Sequence, residues 1–108
     1  MPLRPIEFQI LLTLAAEERH GYGIMQEAAR MTDGELQLEA GTLYRALHRM
    51  LKDRWVAESD RRPAPDLEDE RRRYYRLTAL GRRLASEEAQ RMSRLVAAAR
   101  AQRLLTRA

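Results

Sequence analysis

Two arginines one helical turn apart, Arg45 and Arg49, follow Gly41, Thr42 and Tyr44 in the stretch AGTLYRALHRMLKD. At about 3.6 residues per turn, Thr42, Arg45, His48, Arg49 and Lys52 share one side of a helix, and Leu43, Leu47, Met50 and Leu51 share the other. A guanidinium pairs in bidentate fashion with phosphate or with O6 and N7 of guanine. Gly41 lets backbone approach a phosphate, and the Thr42 and Tyr44 hydroxyls donate to phosphate oxygens. These residue types suit a recognition helix that enters the major groove of duplex DNA at its N-terminal end. A solvated arginine face on any globular protein would look the same in isolation, so the neighbouring elements decide between the two.

Catalytic chemistry finds no comparable constellation. The chain has no cysteine, which removes disulfides, thiolate metal sites and cysteine nucleophiles. His20 and His48 are the only histidines, and neither sits in an H-x-x-x-H or H-x-x-E-H arrangement. Ser59, Ser86 and Ser93 lack a G-x-S-x-G setting, and no glycine-rich phosphate loop precedes a helix. We expect no enzyme, no cofactor and no metal.

The elements that must carry the arginine face read in order along the chain. Pro5 opens a helix on which Ile6, Ile10, Leu11, Leu14 and Ala15 recur at helical spacing, with Phe8 and Leu12 widening the apolar face. His20-Gly21-Tyr22-Gly23 interrupts it, and Ile24, Met25, Ala28, Ala29 and Met31 trace a second helix ending near Asp33-Gly34. Leu36 and Leu38 alternate with Gln37 and Glu39, as in a short strand or an extended link before the recognition helix. Residues 55–59 and 73–77 then read as two strands of a hairpin, joined by a proline-containing acidic loop. Tyr74 and Tyr75 must face opposite sides of that hairpin. Thr78 caps a last helix that, with no proline to stop it, is expected to run about 28 residues, roughly 42 Å. Its residues Leu84, Ala85, Met92, Leu95, Val96 and Ala99 form a near-heptad stripe, interrupted by Glu88, that a second copy of the chain would cover.

The fold expected is therefore mainly α with a small β-hairpin wing: a winged helix-turn-helix over residues 1–77 and a long C-terminal dimerisation helix over 78–108. Charge follows the same division. The first 39 residues hold three basic groups against seven acidic ones, residues 40–77 hold ten against seven, and residues 78–108 hold seven against two. Arg61 and Arg62 enter the wing, and Arg72 and Arg73 leave it with Arg71, so its legs are basic while its tip, Asp66 to Glu70, is acidic. The legs suit DNA and the tip does not. The opening residues are too polar for a signal peptide or a membrane span, and a cytoplasmic protein is expected.

Three stretches together, ILLTLAAEERHGYGIMQEA, LEAGTLYRALHRMLKDRWV and RRYYRLTALGRRL, resemble the PadR family of winged-helix regulators over residues 6–84. The resemblance implies a homodimer whose C-terminal helices pack across a two-fold axis. It also implies binding to an inverted repeat in double-stranded DNA, and repression relieved by a small-molecule effector held at the dimer interface. By the same resemblance Tyr22 and Gln26 join Thr42, Tyr44 and Arg45 as DNA-facing positions, and Arg72 and Arg73 match the family's wing. Arg45 stands where relatives commonly carry proline, Asp53-Arg54 where they carry glycine near the helix end, and the acidic loop where their wing is more basic. Another winged-helix class, such as the MarR-like regulators, or a winged-helix adaptor that binds protein alone, would share these elements.

Overall fold

The computed structural model describes residues 3–60 and 73–105. Its elements are α1 (Pro5–Ala16), β1 (Arg19–His20), α2 (Gly21–Met31), α3 (Ala40–Lys52), β2 (Val56–Glu58), β3 (Tyr74–Leu77) and α4 (Ala79–Ala101). Proline at its first turn starts α1, and the Glu7 carboxylate accepts the Arg4 amide at 3.0 Å. Phe8, Ile10, Leu11 and Leu14 of this helix are buried, and so is Thr13, whose hydroxyl donates to the Ile10 carbonyl at 2.7 Å. Around α1 the core is completed by Ile24 of α2, by Leu43, Leu47 and Met50 of α3, by Val56 and Tyr75 of the sheet, and by Ala85 of α4.

The sheet has three antiparallel strands in the order β1-β3-β2. Arg19 pairs with Tyr75 and His20 with Tyr74, while Val56 to Glu58 pair with Leu77 to Tyr75. Of the two readings of residues 36–39 the extended link holds; the expectation that needs correction is the sheet's third strand, which lies ahead of α2 in a segment read as a break. Helix α2 also begins at Gly21, three residues earlier than its apolar pattern indicates, because the His20 imidazole caps it: Nδ1 accepts the Gly23 amide at 2.9 Å. The tyrosines do alternate, with Tyr75 in the core and Tyr74 half-buried. The wing residues Arg61, Arg62, Arg71 and Arg72, and the acidic segment 66–70, lie outside the described residues.

Three helices stop in the same way. After α2, α3 and α4 the backbone turns left-handed at Asp33, Arg54 and Arg103, with φ of 52°, 63° and 60°. In each case the next amide reaches back to the carbonyl five residues earlier: Gly34 to Ala29, Trp55 to Met50 and Leu104 to Ala99. This is the Schellman geometry, normally given to glycine. Arg54 thus occupies the left-handed position where the PadR resemblance leads one to expect glycine, and Arg103 ends α4 after 23 residues, short of the chain end.

The first turns of α4 are bolted to the rest. The Thr78 hydroxyl accepts the Gly81 amide at 3.0 Å and lies 2.9 Å from the Trp55 carbonyl oxygen, to which it donates. Gly81 lies so close to that carbonyl that a Cβ would overlap the oxygen. Arg82 donates to the Ala15 carbonyl at 3.0 Å. Ala85 and Glu88 are 8% and 4% exposed within the protomer, so these stripe positions are covered by their own chain and the open part of the stripe begins near Met92. Arg91 hydrogen-bonds the Glu88 carboxylate, with Nε 3.1 Å from Oε1, and holds its pKa below the ordinary carboxylate value although burial pushes the other way; the Leu3 backbone adds to the lowering.

Two measurements test this joint. Gly81→Ala must push the start of α4 off the Trp55 carbonyl, and a loss of about 1–3 kcal/mol is expected on thermal or urea unfolding. Because the Glu88 pKa is lowered by folding, its contribution is complete above the unfolded value of ~4.3 and is lost as pH falls through the lowered one. The stability gap between wild type and Glu88→Gln should therefore be open at neutral pH and close in acid; parallel pH curves would show that the pair does not contribute.

Candidate nucleic-acid interface

Helix α3 buries Leu43, Ala46, Leu47 and Met50 and turns Gly41, Arg45, His48, Arg49 and Lys52 to solvent. Thr42 and Tyr44 flank the exposed face and are half-buried. The Arg45 guanidinium folds back along the first turn, over Gly41, with Nη2 3.5 Å from the Thr42 hydroxyl. Gly41 has open space otherwise and an ordinary backbone, so only the end of a flexible side chain restricts it.

The N-terminus of α2 meets α3 at one tight contact. The Tyr44 ring lies directly against Gly21, where a Cβ would overlap the Tyr44 hydroxyl and ring carbons. Gly21 is therefore a spacing residue: it lets the two helices approach closely enough to share an outer surface. One residue on, Tyr22 is 60% exposed, its ring centroid 6.5 Å from His20, and the His20 ring is tilted against Tyr74 of β3 at 5.1 Å. Gln26 is also exposed, one turn further along α2. Tyr22, Gln26, Gly41, Arg45 and Arg49 are thus solvent-facing on two helices in contact, whereas Tyr44 spends part of its surface on the helix-helix joint.

On the sheet side, Arg73 is exposed and its Nη1 lies 3.6 Å from Glu58 Oε1 across the β2–β3 pair. This leg of the wing is therefore partly neutralised within the chain. The sequence reading missed two residues beside α3. Arg4 and Glu7, at the start of α1, line a groove of about 490 Å³ together with Pro5, Ile6, Thr42, Arg45, Ala46 and Arg49. Glu7 Oε2 stands 3.8 Å from Arg49 Nη2. The one sequence signal for this arrangement was proline followed two residues later by glutamate, which marks a helix start and says nothing of the helix packed against it.

Among the described residues no cluster of His, Cys, Asp or Glu could hold a metal ion, and no helix is long and apolar enough to cross a membrane.

Residues 10–87 match the family model described as the Transcriptional regulator PadR-like family. A Lysinibacillus sphaericus protein, itself uncharacterised, is 35% identical over 78 residues, which are 72% of this chain and 69% of that one. Among solved structures, a PadR family transcription regulator from Clostridium difficile R20291 superposes with a TM-score of 0.68 at 27% identity, covering 93% of this chain and 98% of its own. Bacillus subtilis PadR, solved in complex with operator DNA, superposes with a TM-score of 0.67 at 20% identity, over 80% of this chain and 47% of its own. With a helix-turn-helix, a three-stranded wing sheet and a family match across most of its length, the chain belongs to the PadR-like family of transcriptional regulators.

Proposed function

We propose that this chain binds an inverted-repeat operator in double-stranded DNA as a homodimer and acts as a repressor that a small-molecule effector releases. The observation that carries DNA reading is Arg45, exposed on the second turn of α3, a helix that meets α2, where Tyr22 and Gln26 are exposed in turn. A helix in the major groove presents its N-terminal residues to base edges, and arginine to guanine is the commonest specific contact there. Gly41 gives room for a phosphate at the same end, and the α2 residues address the flanking backbone.

Dimerisation is supported by what α4 leaves uncovered. Beyond the part bolted to the core, Leu95 and Val96 are 56% and 39% exposed on the face continued by Met92 and Ala99, and the molecule is 54 Å long against 27 and 22 Å in its other dimensions. A projecting helix with an apolar stripe gains stability when a two-fold partner covers it. Leu84 is half-buried near the base of the arm and Ala85 is inside the protomer, so the contact is expected to centre on Met92 to Ala99. The repressor output and its relief by an effector rest on the family resemblance.

Selection of bound duplexes from a random pool, at two salt concentrations, should return an inverted repeat with half-sites about one helical turn, ~34 Å, apart. Against that site Arg45→Ala is expected to cost about 1–3 kcal/mol of discrimination while non-specific binding persists; an adaptor would select nothing and feel no loss. Leu95→Glu with Val96→Glu should convert the dimer to monomers in sedimentation and weaken operator binding. A double variant that stays dimeric would move the interface elsewhere.

A further inference from the structure

The exposed face of α3 has a centre and two flanks. At 100° per residue, Gly41, Arg45, His48 and Lys52 cluster along one line, whereas Arg49 lies roughly 70° around the helix on one side and Tyr44 roughly 70° on the other. Tyr44 leans on α2 through Gly21, and Arg49 leans on α1 through Glu7. A rod lying along the major groove has bases under its centre line and a sugar-phosphate backbone beside each flank. The groove between α1 and α3 opens on the Arg49 flank. Its lining brings together Arg4, Arg45 and Arg49 with one carboxylate, a net charge of about +2, and the apolar residues Pro5, Ile6 and Ala46.

Building on the DNA-binding reading above, we propose that this groove seats a backbone phosphate of the operator, clasped jointly by Arg4 and Arg49, and that Arg49 thereby anchors the helix and reads no base. Arginine suits the task because its five N–H donors let it face a carboxylate and a phosphate together. Glu7 is 8% exposed, with one carboxylate oxygen on the Arg4 amide at 3.0 Å and the other 3.8 Å from Arg49, so it is a fixed post beside the Arg49 guanidinium in the lining of the groove. At the α1 end Pro5 has no amide hydrogen and the Arg4 amide is taken by Glu7, so neither of these backbone groups is offered to the phosphate. The arginines make the site.

The test measures operator and random-duplex affinity across a salt series for wild type, Arg4→Ala, Arg49→Gln, the double variant and Arg45→Ala. Arg4 and Arg49 are exposed, and the Arg49–Glu7 contact is a 3.8 Å pair on a half-exposed side chain that adds little to stability, so all should retain the wild-type circular dichroism and melting curve. The double variant is expected to lower the slope of log K against log salt by about 0.9 per protomer, the value of one phosphate, with a near-unchanged ratio of specific to random binding. Arg45→Ala should show the opposite pattern, a collapsed ratio. The proposal is overturned if Arg49→Gln relaxes base preference, if the double variant leaves the slope unchanged, or if it loses two phosphates' worth, which would mean separate contacts. A wild-type protein with no duplex preference at all would instead sink the DNA-reading proposal beneath it.

Discussion

Helix α1 is apolar around most of its circumference, and a helix of that kind is stable in water only when neighbours enclose it. Helices α2 and α4 and strand β3 all pack against it, and the core built around Ile10, Leu11 and Leu14 reaches from α3 to Ala85. The remaining architecture follows from meeting this demand with a short chain. Helix α4 must return to cover α1, so its first turns belong to the globular body and only its later turns are left to project. The sheet must close the open side, and Tyr75, buried at the middle strand, does so. Helix α3 covers its own apolar side with the same core and is thereby obliged to turn its arginines outward.

That obligation explains why α3 was legible. Its apolar and basic residues are segregated at a clean 3.6 period over a full 13-residue helix. The tyrosine pair was legible for the same reason at period two. What escaped detection is short or locally unorthodox. Strand β1 is two residues long, Arg19–His20, with no room for alternation, and exists because β3 offers a free edge to pair with. The start of α2 hides behind two glycines, one of which, Gly21, is present to let Tyr44 come close. The end of α4 carries neither proline nor glycine, so nothing in its residue types announces the left-handed Arg103.

The candidate interface shows the same limit from the other side. Spacing along one helix located Arg45 and Arg49 on a common face, but could not separate them, because their difference lies in which neighbouring helix each approaches. The Glu7 carboxylate comes from the first turn of α1, 42 positions earlier in the chain, and only the fold brings it beside Arg49. Likewise Glu88 reads as a flaw in an apolar stripe until its burial with Arg91 against the protomer's own body is seen. Polar residues inside apolar patterns were the places where pattern reasoning gave the least and tertiary packing decided the most.

The non-glycine helix ends also bear on how far this protein lies from its attainable thermal endurance. A side chain forced into a left-handed turn costs on the order of 1 kcal/mol that glycine would not incur, and three such turns sit at Asp33, Arg54 and Arg103, away from the exposed centre line of α3. A fold of marginal net stability, typically 5–15 kcal/mol, thus keeps an appreciable share in reserve at its joints. Heat tolerance can accordingly rise without altering the exposed face of α3, since the helix ends and that face draw on different residues.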